Sequence, residues 1–135
     1  MKVTFQVLPV PASRPRVTRW STYFPKKYTS FKADMNIALK DIHFIPTKEL
    51  LYVKVDFYVA IPKSWSKKKT IASDGKVCDN NADIDNYCKA ILDSLEGVYY
   101  ENDKQIAMIR ARKYYSTNPR IKYEQIEINK DGDKL

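Results

Sequence analysis

The sequence predicts an α+β domain: one mixed sheet with two helices packed on it, in the order β-α-β-α-β-β. Three observations predict it. Leu51, Val53, Val55, Phe57, Val59 and Ile61 alternate without a break, as one buried sheet face requires. Two segments, around Phe31–Ile42 and Ile84–Leu95, repeat apolar residues at helical spacing. Each carries a single apolar stripe, which fits helices laid against one sheet face. At 135 residues the chain holds one core comfortably and two poorly. The domain is expected to span 1–128, with a polar tail, 129–135, expected to fray.

The elements follow in order. Val3, Phe5 and Val7 alternate with polar residues as a first strand. Pro9 to Pro25 contains four prolines and reads as a loop, rich in Arg14, Arg16, Arg19, Trp20, Tyr23 and Phe24. Phe31, Met35, Ala38, Leu39 and Ile42 set a helix over roughly 30–42. The long strand over 51–61 ends at Pro62, and a loop with the lysine run KSWSKKK and the turn signal Asp74-Gly75 is expected up to about Asn81. A second helix runs from about Asp83 to Glu96, with Gly97 as its stop. Its apolar stripe is Ile84, Cys88, Ile91, Leu92 and Leu95. Strands over 105–115 and 121–128 follow, joined at Ser116-Thr117-Asn118-Pro119 and expected to form a hairpin.

Lys plus Arg number 24 against 16 Asp plus Glu, for a net charge of +8. That excess points to a polyanionic partner, nucleic acid first. No run approaches a membrane span and the start carries no signal-peptide pattern, so a soluble, cytoplasmic protein is expected. Cys78 and Cys88 form no CxxC pair and His43 is the sole histidine, which argues against a His/Cys zinc site.

Against this basic background stands ADIDNYCKAILDSL, Ala82 to Leu95. Asp85, Lys89 and Asp93 are spaced i, i+4, i+8 and stack along a strip beside the apolar stripe. Asp83 lies at the helix entrance and Asp103 arrives before the next strand, in YENDKQI. The plain reading is an N-cap and two surface ion pairs of about 0.3–0.5 kcal/mol each. The chemical reading is a carboxylate cage for Mg²⁺, which prefers oxygen ligands, with an ammonium beside it. An acidic pocket on a basic surface suits metal-assisted phosphodiester hydrolysis. The rival class is a basic DNA-binding protein without catalysis. A DxD of the glycosyltransferase or dehalogenase kind fits poorly, since neither the chain length nor the late helical position suits those folds.

DIDNYCKAILDSL resembles the D-x-D-N-x-x-K-x-x-x-D-x-L signature of RusA-type Holliday junction resolvases, a family common in phages and prophages. YENDKQI is similar to the family's second acidic motif, and VLPVPASRPR to its N-terminal segment. The resemblance implies that Asp83, Asp85 and Asp103 ligate catalytic Mg²⁺, with Mn²⁺ as a substitute, and that Lys89 is the catalytic cation. Asn86, Asp93 and Asn102 would support them. It further implies a homodimer that nicks opposed strands of a four-way DNA junction. In this chain Asn102 stands where the family commonly has the first of two adjacent acids. Arg14, Arg16, Arg19, Lys26, Lys27, Lys67, Lys68, Lys69, Arg110 and Arg112 are the candidate DNA-binding cations, interleaved with aromatics that can stack on bases.

Overall fold

The computed structural model describes residues 1–135. Its centre is β4 (Leu50–Ala60), whose Leu51, Val53, Val55, Phe57 and Val59 are all buried on one face. Alternate residues of a strand point to opposite faces, so the intervening Tyr52, Lys54, Asp56 and Tyr58 line the other. On one side β4 pairs antiparallel with β6 (Arg120–Ile128), and β6 pairs in turn with the edge strand β1 (Lys2–Phe5). On the other side it pairs parallel with β5 (Ile106–Ser116), giving the mixed order β1-β6-β4-β5.

The parallel β4–β5 pair needs a crossover, and the crossover carries the acidic segment. It contains a short helix, α2 (Lys67–Ser73), and the acidic helix, α3 (Ile84–Leu95). The helix before β4, α1 (Lys26–Leu39), packs on the same sheet face as α3. Phe31 and Met35 from α1, Tyr87, Ile91 and Leu95 from α3, and Ile121 and Tyr123 from β6 close the core over β4. The opposite sheet face carries no helix.

Several expectations are corrected. The strands expected to form a hairpin are not neighbours: β4 lies between β5 and β6. The three residues Thr117–Pro119 step over the end of β4, which stops at Ala60 just before Pro62. Two strand spacings are about 9.6 Å, within reach of so short a link. The expected loop from Pro62 to Asn81 includes α2, started by Ser66, whose hydroxyl accepts from the Lys69 amide at 3.1 Å. The Pro9–Pro25 loop includes a small hairpin, β2 (Arg16–Val17) with β3 (Thr22–Tyr23). There are thus three helices instead of two, and two further short strands.

α1 begins earlier than expected, after Pro25, whose carbonyl accepts from the amides of Tyr28 and Thr29. It ends at Leu39, so Ile42 lies outside it and is exposed. On α3 the buried face turns towards Tyr87 and Ala90, while Ile84 is exposed and Cys88 and Leu92 are half-buried. The reason is Tyr87: its ring packs 5.4 Å from Phe57, and its hydroxyl accepts from the Asn80 side chain at 3.0 Å. The tail expected to fray turns back on β6, with the Leu135 amide donating to the Glu127 carbonyl.

Candidate functional site

α3 is the frame of the site. Its amphipathic face docks on the sheet, and Gly97, with φ of +82°, carries the chain out of the helix in a conformation that suits glycine. Its other end is fixed by Lys113 of β5. The Lys113 ammonium donates to the Asn80 carbonyl at 3.3 Å, the Asn80 side-chain oxygen at 2.7 Å and the Ala82 carbonyl at 2.7 Å. These bonds hold the segment that delivers Asp83. Nothing in the helical spacing pointed to Lys113, because it sits on a distant strand.

Asp83 occupies the N-cap position but makes no side-chain capping bond, so its carboxylate is left free. Asp85 stands in the first turn, where one oxygen accepts from the Asn86 amide at 3.0 Å. Both acids sit where the helix dipole favours negative charge. Carboxylates with spare oxygens are hard donors of the kind Mg²⁺ takes. Of the two ion pairs the spacing allowed for Lys89, one forms, to Asp93 at 3.4 Å, and both partners are largely exposed.

Asn86, Lys89 and Asp93 share a cleft of about 430 Å³ with Arg14, Phe24, Tyr28 and Lys32. The N-terminal loop is pinned there by the Ala12 amide, which donates to the Asn86 carbonyl at 2.8 Å. Lys32 lies 3.9 Å from the Phe24 ring centroid and 4.5 Å from that of Tyr28. Sequence reading missed Lys32; its place on α1 brings it to the site only through helix packing.

Asp103 lies elsewhere. It opens a 3₁₀ turn, Asp103–Gln105, and its amide donates to Glu96 just past the C-terminal end of α3, at 3.3 Å. The 12 residues of α3 span about 18 Å of axis at 1.5 Å per residue, so Asp103 and the Asp83–Asp85 pair flank opposite ends of the helix. No three ligating side chains converge on a metal-sized site within this one chain. Asn102 caps the turn, its side-chain oxygen accepting from the Lys104 amide at 3.0 Å, and Glu101 pairs with Lys48 at 3.8 Å. The residue that departs from the two-acid motif therefore has a structural task.

The candidate DNA-binding cations divide. Arg16 and Arg19 belong to the β2–β3 hairpin region, where Trp20 is 85% exposed and Arg19 lies over its ring at 5.1 Å. Lys26 and Lys27 open α1, and Lys67, Lys68 and Lys69 open α2. Cations at helix N-termini oppose the dipole, and a bound polyanion would relieve that. Arg112 is engaged with Asp56 through two bonds of 2.8 Å, whereas Arg110 makes no hydrogen bond or ion pair. Tyr28, which lines the cleft beside Lys32, is otherwise a core residue.

No helix is long and apolar enough to cross a membrane. A family model described as endodeoxyribonuclease RusA matches residues 6–128. Uncharacterized protein YqaN of Bacillus subtilis (strain 168) is 36% identical over 79 residues, 56% of this chain and 56% of that protein. The chain thus spans just over half the length of the curated relative it matches.

Proposed function

Because the chain belongs to the endodeoxyribonuclease RusA family, we propose that it is a Mg²⁺-dependent, structure-selective endodeoxyribonuclease. Its substrate is a four-way DNA junction, which it resolves by paired symmetric nicks. The observation that carries this reading is the opening of α3, where Asp83 and Asp85 keep carboxylate oxygens free in a chain of net charge +8.

Asp83 and Asp85, with Asp103, are the residues that would hold the cation; Mn²⁺ suits the same oxygen donors. A bound divalent ion supplies charge neutralisation at the phosphate and a water of lowered pKa. The chain's own groups do the rest. Lys89 presents its ammonium on the same helix, able to meet charge developing on the phosphate oxygens. Asn86 offers an uncharged polar contact beside it. Arg14 and Lys32 line the same cleft and suit neighbouring phosphates of the cut strand.

The working unit is a homodimer in which Asp103 comes from the partner. Support comes from the separation along α3 and from the free edge of β5. Gly75, Lys76 and Cys78 bond to Lys113 and Tyr115, leaving the outer backbone of 106–112 unpaired. Antiparallel pairing of two such edges about a two-fold axis at Ile109, itself 46% exposed, would set residue 106 of the partner opposite residue 112. That brings an acidic flank, with Glu101 and Asp103, to the basic end of β5 at Arg112 and Lys113, beside Asp83. A concavity of about 550 Å³ lined by Val77, Asp83, Ile84, Arg112 and Lys113 is available there.

A synthetic four-way junction tests the activity. The protein should cut it in Mg²⁺ and stop in EDTA, leaving linear duplex intact. Asp85→Asn should lose cleavage by more than about a hundredfold, since even outer partners of metal ligands cost 10–100-fold. Its junction binding should persist or tighten as a negative charge is removed. Normal cleavage by this variant would overturn the assignment, and a shift without any cutting by the parent would favour a pure binding protein.

A further inference from the structure

The sheet face away from the helices carries its own charge pattern, fixed by register. Directly opposed residues share a face, so Lys2, Glu124, Lys54 and Arg110 form one row across all four strands. Thr4, Lys122, Asp56 and Arg112 form the next. With Arg120, this face presents six cations against two acids. Asp56 is already taken by Arg112, and Glu124 makes no ion pair. Lys2, Lys54, Arg110 and Lys122 therefore stand without a carboxylate partner around a hollow of about 430 Å³.

Arg110 supplies the second observation. Its Nε is sealed from solvent and has no hydrogen-bond partner, the sole buried side-chain polar atom of the chain in that state. Buried donors are paired in nearly all folded proteins, and an orphan guanidinium among lysines calls for an anion. Phosphate, like carboxylate, is an anion that a guanidinium fork can bind through two bonds.

We propose that this hollow is a second DNA contact, a seat for backbone phosphates of a duplex arm that is not being cut. The proposal rests on the nuclease reading and extends it to a surface on the far side of the sheet from α3. Backbone, and not bases, is the occupant because the aromatic faces here are covered. Arg120 lies 3.8 Å from the Tyr58 ring centroid, and Tyr58 stacks on Tyr114 at 5.7 Å. A junction with several arms can engage both sheet faces at once; a single straight duplex cannot gain from both in the same way.

The test measures fluorescence anisotropy with a labelled four-way junction, in the cleavage-dead Asp85→Asn background, across a KCl series. Adding Lys54→Gln with Arg110→Gln should weaken junction binding at least about tenfold and reduce the log–log salt slope by about 2, two phosphate contacts at about 0.9 each. The matched charge removal Lys130→Gln with Lys134→Gln in the tail should leave the slope unchanged. Thermal melting confirms that each variant is folded. An unchanged slope in the sheet variant, or an equal fall in the tail variant, overturns the proposal while leaving junction cleavage by the parent, and so the nuclease reading, intact. If the parent neither binds nor cuts a junction, both readings fall together.

Discussion

Asp83 sits where an aspartate ordinarily spends its oxygen on capping a helix, yet its carboxylate is unbonded. Asn102 shows the opposite division of labour, closing its turn with the side chain that a metal-binding acid would need free. Arg110 and Arg112 make a third contrast: two arginines on one face, one satisfied by Asp56 and the other without a partner. Residue identity alone does not separate these cases; the neighbours do. At this scale Cys88 gives a pH prediction. Burial first, and the Asp85 charge second, push its thiol from an ordinary value of 9.0 up to about 11. The folded state thus keeps a proton that the unfolded state releases, so this group's contribution to stability is complete below pH 9 and is lost as pH rises towards 11. Urea midpoints should fall less over that window in Cys88→Ala than in the parent. Alkylation of Cys88 at pH 8 should also be slow in the folded protein, with about a hundredfold less thiolate than an unshifted thiol.

At the level of elements, α3 shows how periodicity can be right in kind and wrong in phase. Ile84, Cys88, Ile91, Leu92 and Leu95 do form a stripe, but the buried face is shared by Tyr87, whose hydroxyl finds Asn80 and so tolerates the core. A tyrosine counted as polar shifts the expected face by part of a turn. The β5–β6 link fails as a hairpin for a different reason. Its sequence permits a reversal, but it offers no Asn-Gly or Asp-Gly pair to force a tight one, so a third strand can lie between. Lys113 is where strand and helix meet. Lys113→Met should leave the carbonyls of Asn80 and Ala82 without their donor, at about 1–3 kcal/mol. Urea unfolding should report that loss, and junction cleavage should fall further than stability alone predicts, because the segment carrying Asp83 loosens.

For the whole molecule, the arrangement of acids at the two ends of α3 makes a sharp prediction about assembly. Mixed dimers of Asp85→Asn and Asp103→Asn, each inactive alone, should regain nicking of a junction. One site of the mixed dimer would carry both substitutions and the other neither. Were all three acids supplied by one chain, every site would keep a defect and the mixture would stay dead. Unfolding and refolding the two variants together, followed by a junction-nicking assay, decides it. A recovered rate of about one quarter of the parent is expected if chains pair at random, since half the dimers are mixed and each has one intact site.

The sequence by itself determined the α+β class, the central strand, the acidic helix with its stop at Gly97 and the family to which the chain belongs. All of these are written in local patterns, alternation, helical spacing and a short motif, that need no knowledge of distant partners. Tertiary structure alone decided that β4 separates β5 from β6, that Lys113 and Lys32 reach α3, and that Asp103 stands a helix length from Asp83 and Asp85. Those facts depend on which strands pair and which faces meet, and such contacts form between residues far apart in the chain, whose spacing along it carries no record of the distance between them.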